Sequence, residues 1–183
     1  MIDLNELHNE QKQISDLIIQ TIKGDTLSCI PYFTYHGPCL ERDEYMKGRH
    51  GIYIFTVSET IYVTSEMAKR YNNATNWDDS LVGASFNYPR PDILNVGDVF
   101  YLGKVSGKSD SIYQRLRVHY GPRTDSATNG IKMQMPERAF INGKLVVHTF
   151  FLDKKYKELR YIIIDPVEKI LHNKLKPITG GKQ

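Results

Sequence analysis

The strand-forming segments of this chain are mixed with helical ones without a regular alternation, and this restricts the fold more than any other feature. Runs rich in β-branched and aromatic residues lie at 52–57, 99–103 and 144–152. A doubly wound parallel sheet would require a helix between each strand and the next, in a repeating order. The sequence therefore predicts an α+β fold built on a small sheet.

Turn residues and apolar spacing predict the other elements of the first half. Helical spacing of leucine and isoleucine indicates an N-terminal helix, and proline and glycine indicate loops. The predictions for this half are a helix over 4–23, a loop over 29–50, a hairpin of 52–57 with 60–64, a short helix over 65–71 and a long loop over 72–97.

The second half contains two further predicted helices. The first begins at Ser109 and Asp110 and ends at Tyr120, before Gly121 and a proline. The apolar run 159–164 is typical of a strand, with a helix as the alternative. The second helix is expected to begin at Asp165 as N-cap with Pro166 in its first turn, and to end near Leu175.

Charge is distributed unevenly, although the formal net charge of the 183 residues is only +3. Residues 1–60 contain five lysines and arginines against nine acids, and residues 61–183 contain nineteen against twelve. The basic part would attract a polyanion, and a solvated basic surface is the alternative explanation. The residues of it that are predicted to contact such a polyanion, for example DNA, are Lys104, Lys108, Arg117 and Arg123.

The apolar runs and the cysteines predict a cytoplasmic protein. The longest apolar runs, such as 161–164, are too short to cross a bilayer, and the N-terminus has no apolar targeting core. Cys29 and Cys39 are the only cysteines and are expected to stay reduced. They are too few for a closed tetrahedral zinc site, although His36 lies between them.

Five polar side chains match the needs of phosphodiester hydrolysis: an activated water, a clamp on the phosphate and help for the leaving oxygen. Tyr53 and Tyr101 lie on predicted strands, and nearby cations could lower a phenol pKa enough to make a base. Arg115 has the planar fork that suits phosphate, and His119 follows one helical turn later. Glu168 could hold Mg²⁺ or Mn²⁺.

Each of these residues also has a structural explanation without chemistry. Tyr53 and Tyr101 could be core aromatics of the strands. Arg115 and His119 could belong to a solvated helix face. Glu168 stands three residues after the predicted N-cap, where the helix dipole favours an acid.

The order of these residues carries a family resemblance over about residues 50–180. Gly51-Ile52-Tyr53 is followed by Tyr101-Leu102-Gly103 and Lys104. A helix with Arg115 and His119 comes next, then a strand around 146–151, and finally Glu168. This succession resembles the GIY-YIG nuclease family.

The resemblance implies a central antiparallel sheet of about three strands flanked by helices. Residues 49–183 would form the nuclease domain, with an insertion at about 65–97 between the first two motif strands. Residues 1–48 would form an N-terminal extension of helix and loop. The implied activity is cleavage of DNA that depends on a divalent metal, Mg²⁺ or Mn²⁺. A restriction-like enzyme, a repair nickase and a mobile-element endonuclease all fit this activity, and cutting both strands would favour a homodimer.

The resemblance also implies a role for each site residue. Tyr53 would orient or deprotonate the attacking water, and Tyr101 would support it. Arg115 would bind the scissile phosphate, and His119 would assist proton transfer. Glu168 would hold the metal.

Two alternatives remain open at this point. A catalytically inactive DNA-binding module of the same fold would keep the basic surface. A nucleotide hydrolase is suggested by residues 103–109, which nearly spell a phosphate-binding loop but are one residue short of the required spacing.

Overall fold

A computed structural model describes residues 4–25, 29–41, 43–73, 76–77, 80–81, 85–86, 92–107, 111–121 and 130–180. Its α-helices are α1 (Leu4–Ile22), α2 (Ser65–Asn73), α3 (Ile112–Tyr120) and α4 (Arg160–Leu175). Its strands are β1 (Phe33–Cys39), β2 (Gly51–Val57), β3 (Ile61–Tyr62), β4 (Asn76–Trp77), β5 (Ser80–Leu81), β6 (Ser85–Phe86), β7 (Ile93–Leu94), β8 (Val99–Val105), β9 (Leu145–Leu152) and β10 (Thr179–Gly180). Short 3₁₀ helices lie at Glu44–Met46, Pro136–Ile141 and Lys154–Leu159.

The central sheet has four strands in the order β1-β9-β2-β8, and every neighbouring pair is antiparallel. The predicted α+β class with a small antiparallel sheet flanked by helices is therefore confirmed. β1 is an additional strand, so the loop predicted over 29–50 is wrong there. Gly37 and Pro38 suggested a loop, but they lie where the register with β9 shifts, on an edge strand that tolerates proline.

The predicted hairpin of 52–57 with 60–64 is also wrong. β2 lies between β8 and β9 and is buried along its whole length. The following run forms β3, which pairs with β7 outside the central sheet. The two partners of β2, one on each side, come from distant segments, so local spacing could not reveal them.

The helices cover both faces of the sheet. On one face, α1 and α4 pack against Ile52, Ile54 and Leu102. On the other, α2 and α3 pack against the side of the sheet that contains Tyr53 and Tyr101. β8 is an edge strand, so a site beside it can draw residues from both helical layers.

α4 begins earlier than the sequence predicts. Residues 160–164 are helical, so the strand predicted at 159–164 is wrong, and Asp165 is not an N-cap. Pro166 lies inside the helix and cannot donate to the carbonyl of Ile162. The side chain of Gln11 in α1 donates to that carbonyl at 3.1 Å, which explains how the helix continues through a proline.

Two further observations concern the remaining predictions. The predicted helices over 4–23 and 65–71 are confirmed as α1 and α2, and the helix that ends near Leu175 is confirmed at that end. Among the helices of the described residues, none combines the length and apolar character needed to cross a membrane.

Candidate active site at the edge of the sheet

Two glycines next to β2 allow close approaches, and Gly103 is the one that leaves room for the Tyr53 phenol. Gly51 has φ +149°, and a Cβ there would stand 2.0 Å from the carbonyl oxygen of Phe150 on β9. Gly103 pairs with Tyr53 across β2 and β8. A Cβ on Gly103 would stand 2.4 Å from the Tyr53 hydroxyl. The phenol therefore lies directly over the Gly103 backbone of the edge strand β8.

Two rings, those of Tyr101 and His119, lie beside this phenol on the α3 face. The rings of Tyr53 and Tyr101 are stacked with centroids 6.2 Å apart. The His119 ring meets Tyr53 edge-on at 5.3 Å and Tyr101 at 4.7 Å. Tyr53 and His119 are almost completely buried, and Tyr101 is only slightly more exposed. The predicted grouping of both tyrosines with the histidine is present.

The hydrogen bonds of His119 determine which nitrogen holds its proton. The backbone N–H of Ile131 donates to Nδ1 at 2.9 Å, so Nδ1 must present a lone pair. Burial, followed by the charges of Arg115, Lys132 and Arg138, lowers the pKa of His119 well below its ordinary value. A neutral ring then has its proton on Nε2, which lies 3.1 Å from the Tyr53 oxygen. His119 therefore donates to the phenol and is suited to hold it in place rather than to shuttle protons.

Arg115 projects from α3 toward the same phenol. α3 begins at Ser111, whose hydroxyl accepts from the Gln114 N–H at 3.3 Å, and ends at Gly121. Arg115 hydrogen-bonds Tyr53 and acts electrostatically on both Tyr53 and Tyr101. Arg115 itself is half-buried, whereas Arg117 on the same helix is exposed.

The Tyr53 oxygen collects more donors than a neutral phenol needs. His119 donates to it, and hydrogen bonds with Arg115 and Tyr101 both lower its pKa. Burial is the largest influence, however, and leaves the pKa of Tyr53 above its ordinary value. The expectation that nearby cations leave this phenol with a lowered pKa is therefore wrong for the folded chain alone, because burial outweighs them.

The second part of the site is acidic and lies on the α4 side of β8. Glu168 Oε2 is 3.4 Å from Lys104 Nζ, and Glu168 Oε1 is 3.2 Å from His172 Nε2. Asp165 Oδ1, one turn earlier on α4, is 3.1 Å from the same Lys104 Nζ. Lys104, Asp165 and Glu168 line an open cleft of about 400 Å³.

Glu168 is ionised in this setting. Burial alone would raise its pKa, but the hydrogen bond from His172 and the charge of Lys104 outweigh it and lower the pKa below its ordinary value. The charge of Glu168 in turn raises the pKa of Tyr53, so the acidic part of the site and the phenol interact electrostatically across β8. Glu168 stands well inside α4, so a helix-dipole role three residues after an N-cap does not apply.

The predicted DNA-contact residues have different positions. Lys104 pairs with Asp165 and Glu168, and Arg117 lies on the exposed side of α3 near an open cavity of about 530 Å³. Lys108 and Arg123 lie outside the described residues.

The features that suggested a phosphate-binding loop have other structural roles. Residues 103–105 belong to β8 in an antiparallel sheet, and residues 161–165, which a nucleotide hydrolase would need as a strand ending in an acid, belong to α4. A nucleotide-binding βαβ unit would need parallel strands.

Sequence patterns missed three contributors to the site. Asp165 is predicted as a helix cap, although its spacing of three from Glu168 is the signal that places both carboxylates on one helical face. His172, four residues after Glu168, has the same signal. The Ile131 N–H that fixes the His119 tautomer has no sequence signal, because no side-chain pattern marks a backbone donor.

In comparisons with protein families, curated proteins and solved structures, no match to this chain is found.

Proposed function

We propose that this protein is an endonuclease that hydrolyses DNA phosphodiester bonds and depends on a divalent metal. The observation that carries the proposal is the meeting of Tyr53, Arg115 and Glu168 around one edge strand, with His119 donating to the phenol. A base, a phosphate clamp and an acidic metal ligand on one edge suit in-line attack on a phosphodiester.

Tyr53 is the residue proposed to activate the attacking water. Its oxygen has donors from His119, Arg115 and Tyr101, whereas a neutral hydroxyl oxygen offers only two lone pairs. Such an environment stabilises the phenolate once a proton leaves. His119 and Tyr101 act as positioning residues for this phenol.

Arg115 is proposed to bind the scissile phosphate. Its guanidinium can offer paired donors to two phosphate oxygens. In the free protein the guanidinium is hydrogen-bonded to the Tyr53 phenol, so binding of a phosphate would redistribute the hydrogen bonds of Arg115. We expect this exchange to open the buried phenol to the attacking water.

Glu168 and Asp165 would hold the metal, Mg²⁺ or Mn²⁺. Two carboxylates one helical turn apart, facing an open cleft, fit the preference of these ions for a few carboxylate oxygens completed by water and phosphate. When bound, the ion would neutralise charge on the phosphate and the leaving oxygen. Lys104, between the two carboxylates, adds a positive charge next to the incoming DNA.

A DNA-binding module without cleavage activity is the second candidate. Tyr53 is wholly buried, and Glu168 already pairs with Lys104 and His172. A site closed in this way on both sides would bind DNA without cutting it. In either case we propose a cytoplasmic protein with DNA as partner, and a homodimer where both strands are cut.

Supercoiled plasmid incubated with the purified chain separates these candidates. Nicked or linear DNA that forms with Mg²⁺ or Mn²⁺, but not with a chelator or with Arg115→Ala, supports the endonuclease. A shift of DNA in a gel without cutting in either metal supports the inactive module. Absence of both binding and cutting would overturn both candidates.

A further inference from the structure

Three metal-binding side chains meet outside the proposed active site, next to β1. His36, Cys39 and Asp43 each present one ligand atom, and these atoms all lie within 4.8 Å of one another. His36 Nε2 is 2.6 Å from Asp43 Oδ2. Cys29, the other cysteine, is exposed and does not belong to this group.

The backbone around this cluster is well anchored. His36 pairs with Thr149 on β9, whose hydroxyl donates to the His36 carbonyl at 2.8 Å. In a regular strand, residues three apart face opposite sides. The register shift between His36 and Cys39 removes this opposition, so imidazole and thiol approach each other. Asp43 precedes the 3₁₀ helix Glu44–Met46, which is held by the completely buried Met46.

We propose that His36, Cys39 and Asp43 form a Zn²⁺ site with three protein ligands and a fourth position open to water. Thiolate, imidazole and carboxylate are the ligands that zinc uses, whereas Mg²⁺ has little affinity for sulfur. Tetrahedral bond lengths require ligand atoms about 3.3–3.6 Å apart. The side chains are half-buried, so small rotations can provide this spacing.

The site joins two parts of the chain that precede β2. One is the end of β1, and the other is the segment that enters the 3₁₀ helix shortly before Gly51. Zn²⁺ would cross-link them and stabilise the folded state by mass action. A simple His36–Asp43 ion pair would need no thiol, so the role of Cys39 distinguishes the two arrangements.

Cobalt substitution of the full chain tests the site, because Co²⁺ bound to a thiolate absorbs strongly in the near ultraviolet. We expect Co²⁺ added to chelator-treated, reduced protein to produce this band, with saturation at one ion per chain and loss of the band on adding Zn²⁺. The band should be absent in Cys39→Ser and unchanged in the matched variant Cys29→Ser. A missing band in the wild type, or a band that survives in Cys39→Ser, overturns the proposal.

A second variant and a second measurement distinguish loss of the metal site from misfolding of the Cys39→Ser chain. Asp43→Asn leaves the thiol in place and changes a partly exposed side chain, and we expect it to weaken Co²⁺ binding at least about tenfold. Zn²⁺ should raise the thermal unfolding midpoint of wild type and of Cys29→Ser but not of Cys39→Ser. Equal Co²⁺ affinity in Asp43→Asn and wild type, or an equal Zn²⁺ effect in all chains, contradicts the three-ligand site.

Discussion

The phenolic oxygen of Tyr53 accepts a hydrogen bond from Nε2 of His119, 3.1 Å away. The opposite nitrogen of the ring is taken by the Ile131 N–H, so the imidazole has only this one proton to give. A buried neutral histidine thus fixes the phenol as an acceptor. The same geometry would stabilise a phenolate during catalysis.

The pH dependence of cleavage should report on Tyr53. Burial raises the pKa of this phenol, so the phenol is protonated at neutral pH. Its ionised fraction then grows as the pH rises toward that pKa, and we expect the cleavage rate to rise with it. Tyr53→Phe should lower the rate by about 10²–10⁴-fold and remove this rise. Tyr62→Phe changes a mostly exposed tyrosine and should leave the profile unchanged. A flat wild-type profile from mildly acidic to alkaline pH would argue against Tyr53 as the base.

The absence of a side chain at Gly103 should be as important for cleavage as the Tyr53 phenol that lies over it. In Gly103→Ala the new methyl group would lie 2.4 Å from the Tyr53 hydroxyl, so the ring must move. We expect cleavage to fall about 100-fold or more, because small displacements of a catalytic group are costly. Gly107→Ala is the matched control, since a Cβ there meets nothing within 4 Å. Similar activity in both variants, measured on plasmid DNA, would contradict this placement.

The sequence predicts which residues form the site, but it predicts much less about the environment of each residue. Tyr53 and Tyr101 follow from strand patterns, and Arg115 and His119 from helical spacing. The raised pKa of Tyr53 depends on how completely the surrounding layers exclude water, which no local pattern encodes. Part of that enclosure comes from the segment near Ile131, which has no regular periodicity.

Arg115 and Arg117 should separate catalysis from DNA binding. They stand two apart on α3, so their side chains point in different directions. We expect Arg115→Ala to lower the cleavage rate about 10²–10³-fold, and Arg115→Lys to restore little because it lacks the paired donors. Arg117→Ala should retain cleavage but bind DNA more weakly, with a shallower salt dependence. Equal losses of cleavage in the two alanine variants would contradict a special role for Arg115.

The metal requirement should depend on Glu168. Glu168→Gln keeps the shape of the side chain but removes the charge that pairs with Lys104 and His172. We expect little cleavage at ordinary Mg²⁺ and partial recovery at much higher Mg²⁺. Glu158→Gln changes an exposed acid in the preceding 3₁₀ helix and should behave as wild type. Metal titrations that coincide for Glu168→Gln and wild type would refute the metal role.

The elements of the fold also differ in whether local sequence patterns or distant contacts determine them. α1 follows from helical periodicity, and the strand of residues 145–152 follows from its run of β-branched and aromatic residues. The start of α4 does not, because Gln11 accommodates Pro166 from more than 150 residues away. The sequence predicts a loop in place of β1 because the glycine and proline there are local signals, whereas the pairing of β1 with β9 depends on a distant segment.

A second buried histidine should make the fold sensitive to acid. His148 on β9 lies 2.8 Å from the Tyr35 hydroxyl through Nδ1 and 3.0 Å from the Thr56 hydroxyl through Nε2. Burial lowers its pKa to about 4. The unfolded chain takes up a proton at this residue near pH 6.5, whereas the folded chain does not until about pH 4. Stability is therefore unaffected above the unfolded pKa and falls progressively between these two values.

We expect His148 to contribute roughly 2 kcal/mol of this loss by pH 5, from about 1.4 kcal/mol per pH unit. His148→Gln should reduce the difference in unfolding free energy between pH 7 and pH 5, measured by denaturant titration, even where it lowers stability at both. Some acid sensitivity should remain, because the pKa of His119 is lowered as well. His8→Gln, on the exposed side of α1, is the matched control and should keep the wild-type difference. If His148→Gln loses as much stability on acidification as His8→Gln, His148 does not stay neutral in the folded chain.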